Sequence, residues 1–220
     1  MTDLRHLGWI PAGAGVGFGA SWLFADLLGL PTDLYYLLYF SAVLGFVAFY
    51  AKRTGLDLRT WTSRRWGRAL ALGLVGAVVL VQGVLSHPGT ARTGGLALWW
   101  DVLWRGIAYG SVDGLLLFAF PWIVAWRALG AEQGAWMRKT AAAGLACAAV
   151  LFVTTAYHLG YADFRSEKIL QPNIGAAIGA VPTVLSAHPV ASPVSHVALH
   201  VAAVLHVPDT DLYLPPHRRE

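Results

Sequence analysis

The sequence predicts an all-α integral membrane protein: a polytopic bundle of about six transmembrane helices plus one interfacial or re-entrant helix. Three observations predict it. The 220 residues are 56% hydrophobic and only 13% charged, about half the charge of an ordinary soluble domain. The mean hydropathy is +0.54. Apolar runs recur along the whole chain, with short basic blocks between them. Such a composition suits a surface facing lipid, where only helices and closed barrels satisfy the backbone. The runs lack the strict alternation of barrel strands.

A bilayer core takes about 20 helical residues to cross. Runs of that order fall near residues 7–30, 34–51, 69–86, 106–126, 138–160 and 189–207, within a single membrane domain, 1–220. The first contains Gly13, Gly15, Gly17 and Gly19 and has the length of a full span, so it reads as a retained helix rather than a signal peptide. The fourth lies in a longer apolar stretch, 95–128. That stretch predicts either an interfacial helix over 96–104 leading into a span, or one long tilted helix. Residues 174–186, with Gly175, Gly179 and Pro182, read as too short to span and hence as re-entrant or surface-lying. The Gly13/Gly17, Gly15/Gly19 and Gly175/Gly179 spacings allow close helix approach, chiefly as ordinary packing.

The net charge of +4 does not point to nucleic acid, because the basic residues sit in blocks between apolar runs. Lys52, Arg53, Arg59, Arg64, Arg65 and Arg68 mark a cytoplasmic segment. Six spans then bring Arg127, Arg138, Lys139, Arg218 and Arg219 to the same side, with both termini cytoplasmic. The excess of Arg over Lys and the abundance of Ala and Gly suit a prokaryotic plasma membrane. The single cysteine, Cys147, excludes an intramolecular disulfide and a thiolate cluster.

Chemistry concentrates in the last two spans. His196 and His200 are four apart, on one helix face, where two imidazoles can share one metal. His158, in Thr154-Thr155-Ala156-Tyr157-His158, is the expected third ligand; His206 is a poorer fourth. Ionisable groups inside a span are functional candidates by default, which adds Asp101, Arg105 and Asp113 as catalytic candidates. In the expected topology His158, His196, Asp101 and Arg105 share the outer half of the membrane, with Asp113 deeper. Asp163 and Arg165 follow in the outer loop, within reach of an imidazole. Bland readings compete: a lone membrane histidine is often an interhelical hydrogen-bonding group, and Asp101–Arg105 is often a helical ion pair. His87, His188 and His217 fall in loops, outside the site.

Three stretches, Trp100-Asp101-Val102-Leu103-Trp104-Arg105-Gly106, Thr154-xxx-His158 and His196-xxx-His200, resemble in order the motifs of the CPBP intramembrane metalloproteases. That family carries Glu-Glu-xxx-Arg, Phe-xxx-His and His-xxx-Asn/Asp. Here Trp100 and Asp101 replace the two glutamates, Thr154 the Phe, and His200 the Asn/Asp. The closing His-xxx-His also resembles the alkaline-ceramidase and progestin-receptor-like membrane hydrolases. Those use three histidines, although their third comes from an early helix. Either resemblance implies a zinc-dependent intramembrane hydrolase acting on a lipid or a membrane peptide.

The resulting expectation is a membrane-embedded, zinc-type hydrolase. His158, His196 and His200 hold the metal, Asp101 or Asp113 accepts a proton, and Arg105 steadies an oxyanion or an anionic headgroup. The expected partners are membrane lipids and the substrate, not nucleic acid. The alternatives are a haem or electron-transfer protein, a transporter relaying protons through the same residues, and a structural subunit.

Overall fold

The computed structural model describes residues 2–57, 59, 62–63, 66–209 and 212–217. Among them the chain forms seven helices and no strand. Helix α1 (Trp9–Ala20) is entered through a 3-10 turn (Leu4–Gly8) and prolonged by a π-helical segment (Ser21–Leu27). There follow α2 (Thr32–Thr54), α3 (Trp66–Leu85), α4 (Gly95–Ala128), α5 (Trp136–Leu159), α6 (Leu170–Ser186) and α7 (Ala191–His206). Five are long and apolar enough to cross a membrane: α2, α3, α4, α5, and α6 with its leading turn Glu167–Ile169.

Local signals explain the boundaries. Helix α2 carries Asp33 in its first turn and Lys52 and Arg53 in its last, each complementing the helix dipole. It stops at Gly55, whose φ of 61° is the left-handed value that a glycine cap accepts. Helix α4 is continuous over 34 residues, so the single long helix holds and no separate interfacial helix forms. It contains two π-helical segments, Val102–Ala108 and Leu115–Ala119.

Residues 174–186 belong to a longer helix, apolar enough to cross a membrane. The helix starts at Leu170 and, with its leading turn, is 20 residues long. Pro172 and Asn173, just ahead of the expected 174–186 segment, lie inside it. Pro172 falls in the first turn, where no N–H is needed. Asn173 is satisfied locally, its Nδ2 donating to Ile169 O (2.8 Å) and its Oδ1 accepting from Thr155 Oγ1 (2.8 Å).

This extra helix turns α7 around. Arg68, at the start of α3, donates to Leu185 O at the end of α6 (2.5 Å). At the other end Thr90 N donates to His206 O (2.9 Å). Helix α7 therefore runs in the same direction as α3 and α5. The end holding Asp3, whose N–H donates to Ala128 O, also gathers Lys52, Arg53, Arg59, Arg68, Arg127, Arg138 and Lys139, and is the basic end. The segment 212–217 lies at the opposite, tail end, where Tyr36 Oη donates to Pro215 O (2.7 Å). The described ends of the chain thus lie at opposite ends of the bundle, not on one side as a six-span count required. Arg64, Arg65, Arg218 and Arg219, part of the orientation argument, lie outside the described residues.

The core is unusually aromatic. Tyr35, Tyr36, Tyr39, Tyr109, Tyr157 and Tyr161 are all buried. Gly13 abuts Phe120 and Gly17 abuts Tyr157, so this glycine pair packs α1 inside the bundle, whereas Gly15 and Gly19 face open space.

Candidate metal centre

The centre depends on how closely α7 approaches α4. Three glycines four residues apart on α4 face α7: Gly106 against Val201, Gly110 against Val197, and Gly114 against Pro193. Each step of four along α4 matches a step of four back along α7, so the two helices are antiparallel and in register. A Cβ at Gly110 would stand 3.0 Å from Val197 Cα, and one at Gly114 3.1 Å from Pro193 Cα. A side chain at any of the three would force α7 back by a few tenths of an ångström, so the glycines allow this close approach in the manner of small-xxx-small packing in membranes. It brings Asp113 on α4 level with His196 and His200 on α7. Asp113 sits between the two π-helical segments of α4, a setting common at functional sites.

Three ligand atoms converge there. His196 Nε2 lies 2.8 Å from Asp113 Oδ2 and 3.0 Å from His200 Nε2, and His200 Nε2 lies 4.0 Å from Asp113 Oδ2. Zinc-to-ligand bonds of about 2.0–2.1 Å in a tetrahedron put ligand atoms about 3.3–3.4 Å apart. The observed separations bracket that value. A proton count points the same way. If His200 Nε2–H donates to His196 Nε2, then His196 has no proton there for Asp113; if His196 Nε2–H donates to Asp113, it meets His200 only as a shared donor. A cation would accept all three lone pairs at once. Asp113, His196 and His200 are accordingly a group that could hold a metal ion.

The surroundings fix the ligands. Tyr39 on α2 donates to Asp113 Oδ1 (2.6 Å), leaving Oδ2 for the histidines. The Tyr109 ring meets His200 edge-on at 4.9 Å, and Phe118 flanks His196 at 5.2 Å. Tyr109, Tyr157 and Tyr161 continue as a hydroxyl chain (2.7 and 2.6 Å), closed by Tyr35 on Tyr161. Asp113 is 2% exposed and His200 4%.

The group lies in the wall of a cavity of about 340 Å³, within the range of small-molecule sites. The lining is mainly hydrocarbon, including Leu80, Leu117, Phe118 and Leu199, with Thr154 and His158 added from α5. Thr154 Oγ1 is buried without a hydrogen-bond partner. His158 Nδ1 is 2.9 Å from Thr154 O, which leaves Nε2 as its other ring nitrogen.

The predicted site residues divide accordingly. His196, His200 and Asp113 come together, and Asp113 stands among the ligand atoms rather than beside them as a base. His158 lines the same cavity but stands outside the three-ligand group, because α7 runs parallel to α5 and sets its histidines below the end of α5. Asp101 and Arg105 do not line the cavity. Asp101 accepts from Thr93 Oγ1 (2.8 Å) and Arg105 reaches Pro208 O (3.5 Å), both at the tail end. Asp163 pairs with Lys168 and Arg165 with Asp26, each at 2.9 Å, so neither orients an imidazole. His206 does not line the cavity; its Nε2 bonds the carbonyl of His87, which does (2.9 Å).

Sequence reasoning missed Tyr39, the three α4 glycines, and two histidines that line the cavity, His87 and His217. The last is 5% exposed, lines the cavity and packs against His158, Tyr161 and Phe164. The glycine spacing around Asp113 was visible in the sequence, as were Tyr35 and Tyr39 within one span. Nothing local in the sequence placed His217.

No family model, no curated protein and no solved structure matches this chain.

Proposed function

We propose that this membrane bundle is a metal-dependent hydrolase, with Asp113, His196 and His200 holding one zinc ion. The observation that carries the reading is the convergence of two imidazole nitrogens and one carboxylate oxygen beside an apolar cavity. Two histidines and a carboxylate are a ligand set found at catalytic zinc, which keeps a further position for water. When bound, such an ion lowers the pKa of its water to about 7.

The chain's own residues divide the remaining work. Tyr39 holds Asp113 by its far oxygen and so sets which lone pair faces the histidines. His158, with Nδ1 engaged by Thr154 O, is the proton acceptor that lines the same cavity. It takes the role that the sequence gave to Asp101 or Asp113. Thr154 Oγ1, buried and unpartnered, is a donor for a substrate carbonyl. The hydrocarbon walls exclude bulk water, which strengthens each of these polar contacts.

The test is metal content by mass spectrometry in detergent-purified protein, beside a His196→Ala/His200→Ala variant. About one zinc per chain, lost in the variant, is expected. Protein purified without chelator that carries no metal, and takes up none from added zinc, would overturn the reading.

A further inference from the structure

We infer that the cavity takes the acyl chain of a membrane lipid, which enters sideways from the bilayer between α3 and α6. The inference deepens the hydrolase reading by naming its substrate class, and relies on that reading only for what happens to the lipid once inside.

The mouth is identified by which lining residues are exposed. Val79 on α3 (52%), and Ile174 (61%) and Ile178 (41%) on α6, are exposed, and Gly83 and Gln171 stand with them. The deeper lining from α4 and α5, Asp113, Leu117, Phe118, Thr154 and His158, is buried. The exposed rim is thus made by α3, with His87 just past its end, and by α6, and the outer faces of the two helices are largely apolar.

The glycines show how the rim opens. Towards the basic end α3 and α6 touch, and a Cβ at Gly76 would lie 2.5 Å from Pro182 Cγ. Towards the tail end they part. A Cβ at Gly83 on α3, or at Gly175 on α6, would meet nothing within 4 Å. Two helices joined at one level and open two turns further on leave a wedge-shaped gap facing the membrane.

The tail end of the cavity is covered in part by the last described segment. Segment 212–217 folds over the tail end of the cavity, with Pro215 held by Tyr36 and the Tyr213 ring 5.6 Å from His87. Leu214 packs with Val84 and Val204, and Pro215, Pro216 and His217 are buried. A polar substrate from water has this strap in its way, whereas a lipid meets the gap directly.

Wall chemistry selects a chain of methylenes over a peptide. From rim to metal group the walls are Val79, Leu80, Ile178, Leu117, Phe118 and Leu199. An unwound peptide would bring amides that these side chains cannot satisfy, which is costly in a water-free medium. An acyl chain brings none. Its polar end would reach the polar group at the inner end of that path, Asp113, His196, His200, Thr154 and His158.

The test uses the full chain in proteoliposomes with palmitic acid carrying a mid-chain diazirine, photolysed and mapped by mass spectrometry. Labelling at Val79, Ile174 or Ile178, displaced by unlabelled palmitic acid, is expected. It should fall at least fivefold in a Gly83→Phe/Gly175→Phe variant whose thermal melting matches the parent. The two single variants, each narrowing one side, should give intermediate losses and serve if the double variant does not fold. Labelling unchanged by the substitutions, or displaced more readily by a transmembrane peptide than by palmitic acid, would overturn the inference. Zinc is measured on the same samples. Labelled protein without zinc would leave the portal standing and remove the hydrolase, and zinc without cavity labelling would do the reverse.

Discussion

At the scale of single residues, Asp113 is pulled in two directions by design. One oxygen is committed to Tyr39 at 2.6 Å, and the other faces two imidazole nitrogens. A buried carboxylate without such partners is among the costliest groups in a membrane bundle. The arrangement separates loss of a ligand from loss of a ligand's support. Asp113→Asn should remove stoichiometric zinc, as measured by mass spectrometry after desalting. Tyr39→Phe keeps the ligand but frees its outer oxygen, and should weaken zinc about 10–100-fold in competition with a chromogenic chelator. Because the ligating histidines must be unprotonated, zinc occupancy should also fall as pH is lowered, and return on neutralisation. Occupancy independent of pH would argue that the histidines are not ligands.

At the scale of elements, the decisive contact is α4 on α7. The Gly106, Gly110 and Gly114 face brings the backbones close enough for side chains of ordinary length to share one ion. Gly110→Leu forces overpacking against Val197 Cα, at about 1–3 kcal/mol, and should lower both the melting temperature and the zinc content. Gly15→Leu is the matched control, because a side chain there meets open space; it should leave both unchanged. If both variants behave alike, the α4–α7 register is not what assembles the centre. A lesser tie, Ser21 Oγ donating to Tyr157 O at 2.6 Å, fastens the π-helical end of α1 to α5. Ser21→Ala should cost about 0.6 kcal/mol, the usual value for a hydrogen bond between membrane helices.

At the scale of the whole molecule, seven helices place the described chain ends at opposite ends of the bundle. The basic end, with seven described Lys and Arg named above, is the one that the positive-inside rule would assign to the cytoplasm. The lone Cys147 makes this simple to check in a Cys147→Ala background. Thr62→Cys near the basic end and Asp209→Cys near the tail end should react with an impermeant maleimide from opposite sides of intact vesicles. Reaction of both from the same side would restore the even-span topology and undo the direction assigned to α7.

The sequence by itself determined the all-α class and marked the histidine pair; of the five helices long and apolar enough to cross a membrane it read α2 to α5 and missed α6. Low charge and long apolar runs leave no other way to satisfy the backbone in lipid, and a four-residue histidine spacing puts both rings on one face of any helix. It also marked Asp113 as a buried carboxylate needing partners. It did not determine which partners those were. Pro172 and Asn173 hide the start of α6, since a proline in a first turn looks like a boundary when hydrogen bonds are not visible. One unseen helix reversed α7 and moved His158 from the expected ligand triad to the cavity wall. Asp101 and Arg105 were drawn in by proximity along the chain, but α4 is long enough to carry them beyond the site. Only the tertiary structure brought Asp113 to the two histidines, and it alone gave the place of His217 and the gap between α3 and α6. Each is set by how far apart two helices lie and in which direction they run, and in lipid that is fixed by the packing of small residues between helices rather than by the apolar pattern along any one of them.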